Sequence, residues 1–250
     1  PILIFYFWKG GRWLKIVSFV FLAFIANGLI LINSRGSFLG AFLGAGYFLF
    51  IMLKSKHNFD YQKLTAIAII LISIVGFLSL VDSSFIERVM TLSNVQDEST
   101  SGSHRYRMWL STVDMLKDYP LGLGAYGYNL VSPQYVEAHL FGPGQTVKSV
   151  HSSWFQALSE VGWHGGVILL ILVYSNFKML SRLKLKFLED KDLYSYYYCN
   201  ALLCGFLGYL VTISFINQFR AQLLYWFMLF ITCLFAITFY NEDKHKSDEK

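Results

Sequence analysis

"LKIVSFVFLAFIANGLILINSRGSFLGAFLGAGYFLFIMLK", residues 14–54, holds two apolar runs divided by a short polar turn. Leu14–Ile32 and Ser37–Leu53 each have about the 17–25 residues that a helix needs to cross a bilayer. Four more stretches follow the same pattern: Leu64–Val81, Val161–Phe177, Tyr197–Phe215 and Leu223–Phe239. The opening "PILIFYF" looks like the tail of one further span, and a chain that starts with Pro rather than Met is expected to be a fragment. Hydrophobic residues make up 55% of the chain and charged ones 15%, a balance that excludes an ordinary soluble domain. The expected fold class is an all-α integral membrane protein: a polytopic helical bundle of about six spans with one large loop.

Lys and Arg alternate with the spans and set the orientation. Lys9, Arg12, Lys15, Lys54, Lys56, Lys63, Lys178, Arg182, Lys184, Lys186, Lys191, Lys244, Lys246 and Lys250 fall on one side. Half as many fall on the other: Arg35, Arg88, Arg105, Arg107, Lys117, Lys148 and Arg220. The richer side is expected to be cytoplasmic, so loop 82–150, the "NSRGS" hairpin and the "INQFRAQ" turn face outward together. The net charge of +5 comes mainly from the inside loops and points to no nucleic-acid partner. Residues 1–81 and 151–240 read as transmembrane helices, and 241–250 as an irregular cytoplasmic tail. Cys199, Cys204 and Cys233 lie in or beside spans without metal-ligand spacing, and the histidines also lack it, so no metal or other cofactor is expected.

Chemistry is expected in the outer loop and at its exit. "HRYRMWLSTVDMLKDYP" has helical periodicity, with Arg105, Trp109, Val113 and Leu116 on one face, and Pro120 stops it. This amphipathic helix either lies on the outer membrane surface or packs on the bundle, and Arg107 points away from the Arg105 face. In "PLGLGAYGYN", Gly122, Gly124 and Gly127 spell G-x-G-x-x-G, but a helix precedes them where a dinucleotide fingerprint needs a strand. A turn presenting backbone N–H groups to phosphates remains open for Gly122 and Gly124. Arg35 is either a topological anchor or an anion-gripping guanidinium, whose planar fork suits phosphate. His151, opening "HSSWFQALSEVGWHGG", is either a helix-end residue or a base poised near neutrality.

Taken together, these segments resemble the O-antigen ligase family, which includes O-antigen polymerases and protein O-oligosaccharyltransferases. "SRGS" is similar to its Ser-Arg-Gly hairpin, and "RYRMW" with "DYPLGLGAYGY" to its R-x-x-x-W…P-x-G-x-G segment. The His151 stretch is similar to its H-[NS]-x-x-[LF]-Q-x-x-x-E-x-G-x-x-G entry into a span; Ser152 stands where asparagine is commoner. The resemblance implies a multi-pass protein of the bacterial inner membrane with its active site at the periplasmic face. It implies glycan transfer from an undecaprenyl-pyrophosphate donor to an acceptor hydroxyl, such as that of lipid A core. It assigns His151, Arg35 and Arg105 as catalytic, with Arg35, Arg105, Trp109, Gly122 and Gly124 binding substrate. Glu160 and Gly162 match the helix entry; Glu160, nine residues past His151, projects to nearly the opposite face and reads as structural. Asp97 and Glu98 leave a metal-dependent variant open, and polymerase and transporter readings stand as alternatives.

Overall fold

The computed structural model describes residues 1–32, 34–80, 101–137 and 149–248. Among them the ordered elements are all helices: α1 (Ile2–Lys9), α2 (Arg12–Ile32), α3 (Arg35–Lys54), α4 (Gln62–Leu80), α5 (Ser101–Asp118), α6 (Gly127–Tyr135), α7 (Ser153–Glu189), α8 (Leu193–Ile213) and α9 (Gln222–Asp248). Five carry segments long and apolar enough to cross a membrane: α2, α3, α7, α8 and the Gln222–Tyr240 part of α9. In hydrocarbon only a helix satisfies its own N–H and C=O groups, so apolar runs of this length become helices. The protein is a polytopic helical membrane protein.

The sixth expected span, Leu64–Val81, corresponds to α4; its apolar described part is the shorter Gln62–Gly76, and Val81 lies outside the described residues. The expected 161–177 span is only the middle of α7, which runs over 37 residues. It starts earlier because "HSSWFQALSE" is already helical from Ser153, and it continues because "KMLSRLKLKFLE" contains no helix breaker. The tail expected to be irregular is helical to Asp248, again with no Pro or Gly to stop propagation.

The chain forms two units. One comprises Pro1–Leu80, Val173–Thr212 and Gln222–Lys250. Its core gathers Phe5 and Trp8 of α1, Phe48 and Met52 of α3, and Tyr197, Ala201 and Cys204 of α8. "PILIFYF" is thus a short helix filling this core; the Gly10 N–H closes it on the Tyr6 carbonyl at 2.8 Å. Packing of α3 on α8 is backbone to backbone. A Cβ on Gly40 would lie 2.4 Å from the Gly208 oxygen, and one on Gly44 would lie 2.8 Å from the Cys204 oxygen. Small residues are what allow such approach between helices in lipid, where dispersion rather than hydrophobicity holds helices together. Arg35, exposed, is the first residue of α3.

The other unit comprises Val81–Leu172 and Ile213–Ala221. It contains α5, α6, the first part of α7 and the turn leading to α9, and so holds all the remaining sequence-predicted site residues that the structure describes.

Candidate functional site

α5 buries Met108, Ser111, Thr112, Met115 and Leu116. The two hydroxyls fit inside because each bonds to the Met108 carbonyl, Ser111 Oγ at 2.7 Å and Thr112 Oγ1 at 3.2 Å. Tyr128 of α6 closes over this face at 2% exposure, and burial pushes its phenol up. Val113 was expected beside Arg105 and Trp109 but is 36% exposed. Each i+4 step advances about 40° around a helix, so Val113 has turned about 80° from Arg105 and left the buried face. Leu116, about 20° from Arg105 by the same geometry, stays with it.

Trp109 sits at the edge of that face and reaches the chain on both sides of His151. Its Nε1–H donates to the Val150 carbonyl at 3.0 Å, and its ring stacks on Phe155 with centroids 5.3 Å apart and planes 8° apart. Beyond His151, the Ser152 N–H donates to Asn217 Oδ1 at 3.0 Å. Ser153 Oγ donates to the Ile216 carbonyl at 2.7 Å and accepts from the Gln218 N–H at 2.8 Å. Trp154 Nε1–H donates to Ser214 Oγ at 2.8 Å. Both neighbours of His151 are therefore fixed, while His151 is exposed and has φ +52°. That left-handed conformation is uncommon for a residue with a Cβ and persists where the surroundings over-determine it. Trp109 and His151 are thus brought together.

Arg105 lies one turn before Trp109, partly exposed, and has no ion-pair partner among the described residues. Arg107 differs: its Nη1 is 2.8 Å from Glu137 Oε2, tying α5 to the end of α6. Tyr135 adds a second tie by donating to Asp118, and that bond holds its phenol up at about 12. Arg35 belongs to the other unit. It opens α3 without an acidic residue in the first turn or a side-chain cap. A cation at that positive helix end costs about 0.3–1 kcal/mol, so helix energetics do not explain an arginine there.

Gly122 and Gly124 have φ of +91° and +75°. Their N–H groups are engaged within the protein: Gly122 donates to the Tyr119 carbonyl and Gly124 to the Glu160 carbonyl, both at 3.0 Å. Leu123 N–H donates to the Ser159 carbonyl at 2.8 Å, and Trp163 N–H to the Pro120 carbonyl at 3.2 Å. These bonds replace helix bonds that α7 loses where Gly162 breaks it at φ +68°, ψ −170°. The P-L-G-L-G turn is spliced into the broken helix, which leaves neither glycine N–H facing a ligand. No sequence signal paired the two motifs in advance.

Glu160, read as structural, is buried at 6% exposure. Its Oε1 accepts from Gln156 Nε2 at 3.1 Å and lies 3.3 Å from Arg220 Nε. The Arg220 guanidinium carbon stands 3.4 Å over the Tyr126 ring. From sequence, Arg220 counted only as an outward charge; pairing with a residue 60 positions away leaves no local trace. His164, past the helix break, is exposed. His139, Lys148, Arg88, Asp97 and Glu98 lie outside the described residues. Among the described residues, no group of His, Cys, Asp and Glu is arranged to hold a metal ion.

The exposed His151 imidazole on a pinned backbone, with a guanidinium that has no ion-pair partner among the described residues on the helix that pins it, suits proton transfer beside an anion. The O-antigen ligase family model matches residues 19–170, a stretch that includes Arg35, the α5 arginines, the glycine turn and His151. No curated protein and no solved structure matches the chain. With more than half of its length matched, the chain belongs to the O-antigen ligase family.

Proposed function

We propose that the protein transfers a glycan from undecaprenyl pyrophosphate to an acceptor hydroxyl, that of lipid A core, at the periplasmic face. The family supports glycosyltransferase-like ligase work on a lipid-linked glycan. The observation that carries the finer reading is the Trp109–Val150 hydrogen bond, which joins the arginine-bearing helix to the backbone beside His151.

In this reading a ring nitrogen of neutral His151 takes the acceptor hydroxyl's proton as its oxygen attacks the anomeric carbon. The new C–O bond forms while the anomeric carbon's bond to the pyrophosphate oxygen breaks on the opposite face. The leaving group departs with the electron pair as undecaprenyl pyrophosphate, and one displacement inverts the centre. Arg35 and Arg105 stabilise the charge that develops on the leaving phosphates, which a guanidinium fork can grip in two parallel bonds. They take the task that a divalent metal performs in other lipid-linked glycosyltransferases.

His151→Ala in the full-length protein tests this. A general base contributes about 10²–10⁴ in rate, so transfer should fall by that order while expression holds. His164→Ala supplies the control and should be mild. Near-normal transfer by His151→Ala would end the base assignment. Offering lipid A core, a growing glycan and a protein as acceptors in the same assay identifies the acceptor class.

A further inference from the structure

We propose that Arg220 is a third phosphate-binding arginine, presenting its terminal nitrogens to the pyrophosphate of the lipid-linked donor. This rests on the donor class proposed above and adds a residue that none of the three motifs contains.

The side chain is built into place from three directions. Glu160 Oε1 lies 3.3 Å from Nε, and Gln156 Nε2 holds the same carboxylate oxygen at 3.1 Å. Arginine–carboxylate pairs are frequently bidentate, with two parallel N–H···O bonds. Here the inner nitrogen lies 3.3 Å from the carboxylate, and no terminal nitrogen has a hydrogen-bond partner among the described residues. Tyr126 supplies the second support: its ring centroid lies 3.4 Å from the guanidinium carbon. Tyr126 adopts φ +62°, an unfavourable backbone for a residue of that size, so placing this ring carries a conformational cost. The backbone is the third. Residues 216–219 are bonded to Ser152, Ser153 and Gln156 of the helix entry, which puts Arg220 in the same unit as His151. The Arg220 side chain is nonetheless 35% exposed, against 5% for Glu160.

The order along α7 fits a lipid-linked diphosphate. His151 stands before the first turn, and Glu160, which anchors Arg220, comes seven residues after the first helical residue, Ser153, about 10 Å of helix rise. A donor entering from the bilayer presents prenyl chain, diphosphate and sugar in that sequence. The sugar's reacting carbon meets His151 at the outer end, and the lipid-side phosphate meets Arg220 further in. The Glu160 carboxylate offsets one guanidinium charge and fixes its plane, so phosphate is recognised by directed N–H groups as well as by charge.

The probe is undecaprenyl pyrophosphate itself, with binding to the full-length protein measured in phosphatidylcholine vesicles. Arg220→Gln should weaken binding about tenfold, the scale of a charge-assisted hydrogen bond. The double variant Glu160→Gln with Arg220→Gln should stay equally weak. Recovery of wild-type affinity in the double variant would make Arg220 a mere counter-ion to Glu160 and overturn the proposal. A loss seen only after phosphatidylglycerol is added would reassign the site to lipid headgroups and overturn it too. Arg220→Lys keeps a charge opposite Glu160 and guards against a folding defect. It should melt as wild type yet bind the probe several-fold more weakly, and unchanged affinity would count against the proposal. Because the readout is binding, it separates from the transfer reaction. His151→Ala that retains activity defeats the proposed chemistry, whereas unaltered affinity in the Arg220 variants defeats this inference alone.

Discussion

Gly162→Ala is expected to unseat the splice between the 120–124 turn and α7. At φ +68° and ψ −170°, Gly162 occupies a backbone region open essentially to glycine alone, and an alanine there is strained by about 1–3 kcal/mol. Its Cβ would fall 2.4 Å from the Pro120 oxygen, 2.5 Å from the Leu121 carbonyl carbon and 2.7 Å from the Gly122 nitrogen. All three are backbone atoms, so no rotamer change relieves them. Relief requires the turn to move off, breaking the Leu123–Ser159, Gly124–Glu160 and Trp163–Pro120 hydrogen bonds, each worth about 1 kcal/mol net. A total of about 3 kcal/mol or more follows, which for a protein of this size lowers the melting temperature by roughly 6–12 °C. Thermal melting of the full-length variant in detergent measures it, with transfer activity measured in parallel. Gly46→Ala is the contrast: nothing lies within 4 Å of its added Cβ, so it should be neutral or slightly stabilising through better helix propensity. If Gly162→Ala melted within about 2 °C of wild type and transferred normally, the splice could not be the rigid joint described.

Trp109→Phe keeps the stack on Phe155 but removes the N–H that reaches Val150, a loss of about 1 kcal/mol. Transfer should fall several-fold at unchanged expression, and wild-type transfer would mean that this bond does not position His151. Arg105→Lys and Arg35→Lys should impair transfer severely, because a point charge does not reproduce a planar fork, while Arg107→Lys, opposite Glu137, should be mild. Equal tolerance at all three would reduce them to surface anchors. A topology reporter fused near Gly102 should be active on the periplasmic side; activity confined to the cytoplasm would overturn both orientation and mechanism.

The parts of the fold set by local composition were legible. Apolar length marked α2, α3, α8 and α9, and Pro120 marked the end of α5 at Asp118. Where neighbours decide, sequence reasoning drifted. The buried face of α5 centres on Met108, Thr112 and Met115 because hydroxyls that bond their own helix can be buried, which a hydropathy pattern penalises. The extent of α7 was missed because a helix broken at Gly162 reads as a loop followed by a span. At the site, spacing separated Arg105 from Arg107, and among the described residues it is Arg107 that has an ion-pair partner, Glu137. For Gly122 and Gly124 the sequence leaves a phosphate-presenting turn open; in the structure their backbone freedom serves the close approach to Gly162. Arg220 was out of reach, since its environment comes from Gln156, Glu160 and Tyr126, none near it in sequence.

The broken helix also limits how the chain can be recombined. Residues 120–124 and 159–163 share backbone hydrogen bonds and interpenetrate within a carbon atom's width, so they behave as one piece of structure written in two places. A chimera whose junction falls anywhere between them would join a turn shaped for one break to a helix broken for another. Exchanging the region between α4 and α7 with a relative therefore requires carrying both segments from the same parent. Junctions belong before Pro120 and after Trp163, and loop grafts that stop short of α7 should yield protein that inserts but does not transfer.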